Sequence, residues 1–218
     1  MDTAVALVTT YLHLNGYITN PEQPVIVGEG RPYRYHTAPD VDVLAVRFPH
    51  AAVVIPRDSG RPKDGSTEDL RLALDPELRL IPEAADVLIG EVKEGRPRLN
   101  PTLREPEILY ATLRRVDPGL NEPLEMVVRN LIAHGEARAH AGERLWRFRL
   151  VAFGDGEAVR DGGPFMVLPL RHAAMHLMRT LVRHRAIWRD ASFSEPVLDL
   201  FHLLDKLGLL RVEAANEG

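Results

Sequence analysis

The chain has 218 residues, a net charge of −4, 45% hydrophobic residues, 27% charged residues and no cysteine. This composition is ordinary for a globular domain, and it excludes disulfides, thiolate zinc sites and cysteine nucleophiles. It also excludes a polycation that binds nucleic acid indiscriminately, although residues 94–190 carry a net charge of +4. No apolar run approaches the roughly 18 residues that a membrane helix needs. We therefore expect a cytoplasmic protein with no membrane partner.

The first half of the chain predicts one helix followed by strands. Residues 3–15 carry apolar side chains at helical spacing and are followed by Gly16, which favours the end of a helix. The polar stretch at 57–85 predicts a loop with a short helix near 67–74. Apolar runs bounded by proline or glycine predict strands, and these runs lie at residues 17–27, 41–48, 51–56 and 86–93.

The second half predicts mostly helices. Asn121 and Ser194 are favourable N-cap residues, and Gly208 is a favourable C-cap. The alternating sequence LWRFRLVAF at 145–153 predicts a strand, followed by a short strand at 165–169 and a closing strand in LLRVE. Helical patterns cover residues 102–116, 121–134, 171–188 and 195–207.

This order of elements predicts an α/β protein with a mixed central β-sheet flanked by helices. No linker or internal repeat divides the chain, so we expect a single domain over residues 1–218. Its core would cover about 3–153, with a C-terminal helical extension at about 165–218. The alternative for the final 45 residues is a small winged-helix-like appendage.

Charged residues interrupt two otherwise apolar strands. Asp42 precedes the run Val43–Val46, and Glu91 and Lys93 end the run DVLIGEVK. Because side chains alternate along a strand, Glu91 and Lys93 point to the same side and Val92 points to the opposite layer. A buried charge is costly unless it is paired or binds a metal. These three charges therefore predict a functional site.

The residue types suit phosphodiester hydrolysis. The carboxylates of Asp42 and Glu91 are the hard oxygen ligands that Mg²⁺ or Mn²⁺ prefers, and the backbone carbonyl of Val92 can add a further ligand. Lys93 can orient or deprotonate an attacking water and neutralise charge on the phosphorus. Only three of the 27 basic residues are lysine, so a lysine at this position is not the default choice of the chain.

An aspartate on one strand and Glu-x-Lys on the next resemble the motif of the PD-(D/E)XK nuclease superfamily. The resemblance implies a restriction-endonuclease-like core: a helix, a three-stranded meander, a helix and a further strand. It also implies a Mg²⁺-dependent nuclease that acts on nucleic acid, with DNA as the expected substrate. Many nucleases of this type are dimers, so a homodimer is a further expectation. Asp42 and Glu91 are 49 positions apart, which is more than such cores usually have and makes 57–85 an insertion.

Three alternatives stay open. The literal Pro-Asp pair is Pro39-Asp40, and Asp40 shares the strand face of Asp42, so either aspartate could hold the metal. The chain could instead be a non-catalytic binding or assembly protein with a vestigial site. In the third alternative, Glu91 forms a structural ion pair with a neighbouring arginine and the resemblance arises by chance.

Several other polar residues have both a functional and a simpler interpretation. Asp86 is a secondary metal ligand or a polar residue at a strand start, and His36 is a phosphate or metal contact or an exposed loop residue. Asn100 is a phosphate contact or a turn former. Five basic residues at helical spacing form one stripe: His172, His176, Arg179, Arg183 and His184. This stripe is either a solvated helix face, which we favour, or a surface that binds nucleic acid.

Overall fold

A six-stranded mixed sheet forms the centre of the structure, a computed structural model that describes residues 2–28, 35–55, 70–159, 163–188 and 195–210. Five of its strands lie in the order β1-β2-β5-β7-β6, and β8 pairs with β7 beyond the end of β6. A two-stranded hairpin, β3-β4, lies outside this sheet. The strands are β1 (Ile18–Gly28), β2 (Tyr35–Arg47), β3 (Val54–Ile55), β4 (Leu70–Arg71), β5 (Ala85–Val92), β6 (Glu136–Ala141), β7 (Arg144–Phe153) and β8 (Met166–Leu168).

The first three strands of the large sheet form an antiparallel meander, and β7 joins β5 in parallel. A parallel neighbour requires a crossover connection, and two helices between β5 and β6 supply it. The helices of the described chain are α1 (Thr3–Leu14), α2 (Pro106–Leu113), α3 (Leu124–His134), α4 (Leu170–Arg183), α5 (Arg185–Trp188) and α6 (Pro196–Lys206), with 3-10 helices at Pro76–Leu78 and Pro101–Arg104.

Two hydrophobic layers cover the two faces of the sheet. On one face, α1, α4 and α6 pack together over residues such as Leu88 and Val151. On the other face, α2 and α3 pack over residues such as Ile89 and Phe148. All eight residues of β5 are buried, as expected for a strand with a neighbour on each side and helices on both faces.

The α/β prediction is confirmed: the sheet is mixed and helices flank it. In the described part of the chain, no helix is long and apolar enough to cross a membrane. Residues 57–69 of the predicted loop at 57–85, the N-cap Ser194 and the end of LLRVE lie outside the described residues.

The clearest differences from the sequence prediction concern three helices and one strand. The helix expected at 102–116 is divided at Glu105, whose extended backbone is what the following Pro106 favours. Asn121 does not cap α3; its side chain exchanges hydrogen bonds with the backbone of Gly142. The long helix expected at 171–188 ends at Arg183 and is followed by the short α5. The strand β6 was not predicted.

Candidate active site

Strand pairing brings Asp42 and Glu91 together. The antiparallel register of β2 and β5 ends with Val43 opposite Gly90, so the next position places Asp42 opposite Glu91. Opposite residues of an antiparallel pair share a face of the sheet. The Oδ2 atom of Asp42 accepts a hydrogen bond of 2.8 Å from the backbone N–H of Val92. The Asp42 carboxylate is therefore fixed across the end of β5.

Lys93 lies between the two carboxylates. Its Nζ atom is 2.6 Å from Glu91 Oε1 and 3.9 Å from Asp42 Oδ2, and these two distances together limit the separation of the carboxylate oxygens to 6.5 Å. The backbone N–H of Lys93 donates to the carbonyl of Phe153, which continues the ladder between β5 and β7. The backbone of Lys93 is therefore held although it lies one residue beyond the strand.

Glu91 is the most deeply buried member of the site, with 2% of its surface exposed. Burial raises the pKa of its carboxyl group, the hydrogen bond from Lys93 opposes this, and the like charge of Asp42 adds to it. The Oε2 atom is buried without a well-formed hydrogen bond among the described residues. The backbone of Asn100 faces this carboxylate and lowers its pKa slightly, so the net direction remains upward.

An open cavity of about 280 Å³ adjoins Glu91 and Lys93. Glu91, Lys93, Arg98 and Asn100 contribute its polar walls. The Asn100 side chain accepts a hydrogen bond of 3.1 Å from the backbone N–H of Thr102, so it caps the 3-10 helix, as the turn-forming interpretation expects. Arg98 is exposed and brings a second positive charge to the cavity. Arg98 was not predicted as a site residue, although it is a basic residue only five positions after Lys93.

Asp86 does not belong to this site. It points to the opposite face of β5, where its Oδ2 atom accepts hydrogen bonds of 2.5 Å from both the Tyr17 hydroxyl and Arg149. Asp86 is 2% exposed and Arg149 is 1% exposed. Burial alone would lower the pKa of Arg149, but the neighbouring Asp86 outweighs it and raises this pKa. The role of secondary metal ligand is therefore wrong for Asp86, which belongs to a buried ion pair.

Two of the three histidines of the predicted helical stripe, His172 and His176, face inward, whereas Arg179 and Arg183 are exposed. His172 Nε2 is 2.6 Å and His176 Nδ1 is 3.5 Å from Oδ2 of the buried Asp75. The Tyr11 hydroxyl donates to the same oxygen over 2.7 Å. Burial raises the pKa of Asp75, but the hydrogen bonds from Tyr11, the Glu77 N–H and His172, together with the electrostatic effect of His176, outweigh it and lower this pKa. A solvated face is therefore the wrong interpretation for these two histidines.

Of the alternative site residues, Asp40 is exposed on β2, and the side chain of His36 lies outside the described residues. Within the described ranges, no group of three or more histidine, aspartate or glutamate side chains is arranged to hold a metal ion. The site thus offers two carboxylates, a lysine and backbone atoms. Comparisons with protein-family models, with curated proteins and with solved structures found no match.

Proposed function

We propose that this chain is a metal-dependent nuclease that hydrolyses phosphodiester bonds in DNA, on a restriction-endonuclease-like core. One observation carries the proposal: Asp42, which is 49 positions before Glu91 in the sequence, meets Glu91 and Lys93 at one end of β5, with both carboxylates within 4 Å of a single ammonium nitrogen. The proposal is also supported by the element order, which resembles that of such a core: α1, the β1-β2-β5 meander with β3 and β4 inserted, α2 and α3, and then β7 beside β5, with β6 added before β7.

The donor set fits a divalent cation. Asp42, Glu91 and the backbone carbonyl of Val92 would hold Mg²⁺ or Mn²⁺, which take oxygen ligands. The two carboxylates exceed the single charge of Lys93, and the buried Oε2 atom of Glu91 lacks a well-formed partner in the described chain. A bound ion would polarise a phosphoryl oxygen and make a bound water more acidic.

The basic residues of the site would orient the attacking water and bind the phosphate. The Lys93 ammonium is partly exposed toward the cavity, where it can donate hydrogen bonds to a water and neutralise charge on a phosphate oxygen. Its contact with Glu91 keeps the ammonium at one position before a substrate arrives. The exposed Arg98 can form an ion pair with a further phosphate of the nucleic-acid strand that binds at Lys93.

A second candidate function is a non-catalytic binding or assembly role on the same fold. The observation that favours it is that each group already has a partner within the chain: Lys93 pairs with Oε1 of Glu91, and Asp42 accepts the Val92 N–H. A Mn²⁺ binding isotherm separates the two candidates. A vestigial site takes up no Mn²⁺ that depends on Asp42 and Glu91, whereas the nuclease does.

The proposal is tested by cleavage of a DNA panel with Mg²⁺ and with Mn²⁺. The panel contains supercoiled plasmid, linear duplex, single strand and branched junction. Wild type is compared with Lys93→Ala and with Lys206→Ala, which removes an exposed lysine from α6. Cleavage by wild type and Lys206→Ala, but not by Lys93→Ala, is the expected result. Equal cleavage by all three would indicate a contaminant, and no cleavage together with no Mn²⁺ uptake would favour the non-catalytic role.

A further inference from the structure

The helix α6 carries apolar side chains on two faces. Its inner face packs against α1 and α4 through the buried Val197 and Leu198. Its outer face carries Leu200 and Leu203, and Leu207 at the C-cap continues the same stripe, because the three residues recur at intervals of three and four. A surface helix normally has a single apolar face, so the outer stripe indicates a contact with another molecule.

The outer stripe is exposed to solvent. Leu200 is 53% exposed, Leu203 is 52% exposed and Leu207 is 61% exposed, and the nearby Leu209 is 67% exposed. Of the nine large hydrophobic side chains that are exposed in the described chain, four therefore lie in this one segment. Single exposed leucines are common on protein surfaces, whereas a contiguous apolar patch is typical of an interaction site.

Two residues of opposite charge border the stripe on one edge. Asp199 and Lys206 are both exposed, and they lie seven residues apart, which is two turns of a helix. They therefore lie on the same side of α6, with Leu203 between them along the helix axis. This edge of the stripe is negative at the beginning of the helix and positive at its end.

This arrangement of charge is complementary to itself. When two copies of α6 pack antiparallel about a two-fold axis near Leu203, the charged edges of both helices lie side by side. Asp199 of each copy then lies opposite Lys206 of the other, so two ion pairs form. In a parallel pair, the charged edges lie on opposite sides of the dimer and these charges do not meet. The charge pattern therefore favours a second copy of this chain, in the antiparallel orientation.

We propose that this chain forms a homodimer in which α6 packs antiparallel against α6 of a second copy, with the leucine stripe at the centre and two Asp199–Lys206 ion pairs at its edge. Four leucine side chains that are 52–67% exposed do not by themselves supply the roughly 800 Å² per partner of a standard interface. The dimer is therefore reversible, with an expected Kd of about 1–100 μM.

The interface is separate from the candidate active site. The helix α6 belongs to the layer of α1 and α4, whereas Glu91 lies on the same face of β5 as Ile89, toward the layer of α2 and α3. Each protomer contains its own Asp42, Glu91 and Lys93, so dissociation of the dimer leaves that site intact. The proposal therefore does not depend on nuclease activity.

The association is measured by sedimentation velocity of the full chain at concentrations from about 1 to about 200 μM. The mass is expected to rise from that of one chain to that of two chains across this range. A protein that stays monomeric throughout, or that forms larger assemblies without a dimer, would overturn the proposal.

A variant and a matched control locate the contact. Leu203→Glu places two carboxylates against each other at the two-fold axis and should weaken the dimer by about 100-fold or more. Met126→Glu introduces the same charge at another exposed hydrophobic position, on α3, and should leave the Kd unchanged. Thermal unfolding of the dilute monomers should give the Tm of wild type for Leu203→Glu, because this side chain is exposed. A Kd unchanged in Leu203→Glu, or weakened equally in both variants, would overturn the interface.

Charge reversal tests the orientation at low salt. Asp199→Lys alone and Lys206→Asp alone each replace two ion pairs by two like-charge contacts, so each should weaken the homodimer by about tenfold. An equimolar mixture of these two variants, and the double variant Asp199→Lys/Lys206→Asp, both restore opposite charges and should recover the Kd of wild type within about threefold. A mixture and a double variant that associate as weakly as the single variants would overturn the antiparallel pairing.

Discussion

Replacing Glu91 by glutamine should abolish activity and yet stabilise the protein. Burial raises the pKa of Glu91, which means that the folded protein favours its protonated form over its ionised form. The resulting stability is therefore fully present below the ordinary glutamate pKa of 4.5, and it is lost as the pH rises through the higher folded value. Glutamine stays neutral at every pH, so Glu91→Gln does not lose stability as the pH rises.

The magnitude follows from the exposures around the carboxylate. Glu91 is 2% exposed, and the charge that compensates it comes from Lys93, whose side chain is 35% exposed. A pair that is partly open to solvent contributes about 0–1 kcal/mol, whereas removal of a buried charge whose pKa is raised gains about 1.4 kcal/mol for each unit of that rise. For a chain of this length, each such unit raises the Tm by about 3–6 °C.

The assay is thermal unfolding of wild type and Glu91→Gln with EDTA, between pH 4 and pH 8. The Tm difference should be widest at the alkaline end and should close toward pH 4. With Mn²⁺ at about 100 times its Kd, wild type should gain about 2.7 kcal/mol and the variant much less. Two results would contradict this prediction. One is a lower stability of Glu91→Gln than of wild type at pH 7 in EDTA, and the other is an equal stabilisation of both proteins by Mn²⁺.

Three further predictions concern residues away from the candidate active site. Asp86→Asn should lower the free energy of unfolding in urea by about 3–5 kcal/mol, because Arg149 is left buried without its counter-ion, and should leave Mn²⁺ uptake by the folded protein unchanged. Gly135→Ala should cost about 2 kcal/mol or more in the same assay, because a Cβ atom meets the Pro164 carbonyl at a positive φ. The pKa of Asp75 is lowered, so its contribution to the free energy of unfolding is present above the ordinary pKa of 3.8 and is lost as the pH falls through the folded value. The stability of Asp75→Asn should therefore fall less steeply with decreasing pH than that of wild type, as measured by acid unfolding.

The candidate site could be predicted because its charged residues stand out in otherwise apolar sequence. Asp42 and Glu91 are charges in apolar strands, and strand alternation correctly placed Val92 in the opposite layer. The sequence alone could not establish the register that sets Asp42 opposite Glu91. That register depends on the tertiary pairing of β2 with β5, across an intervening segment of which only part is described.

The buried arginines could not be predicted in the same way. In the strand β7, the alternation of arginine with apolar residues is the usual pattern of one solvated face, yet Arg147 and Arg149 are buried. Their partners include the carbonyls of Leu78 and Arg79, which are about 70 residues away in sequence. The strand β6 escaped prediction for a related reason, since its alanine-rich sequence has weak strand propensity and forms through its hairpin with β7.

The strand β5 carries one buried carboxylate toward each layer of the protein. A slip of β5 by a single residue would turn every one of its side chains to the other face. Asp86 would then leave Tyr17 and Arg149, and Glu91 would leave Lys93, so both acids would lose their partners at once. The Asp86–Arg149 ion pair at one end of β5 therefore helps to fix the register at the other end. A register shift that displaces Glu91 from the candidate active site loses the contacts of both acids, and so it costs more free energy than the loss of either contact alone.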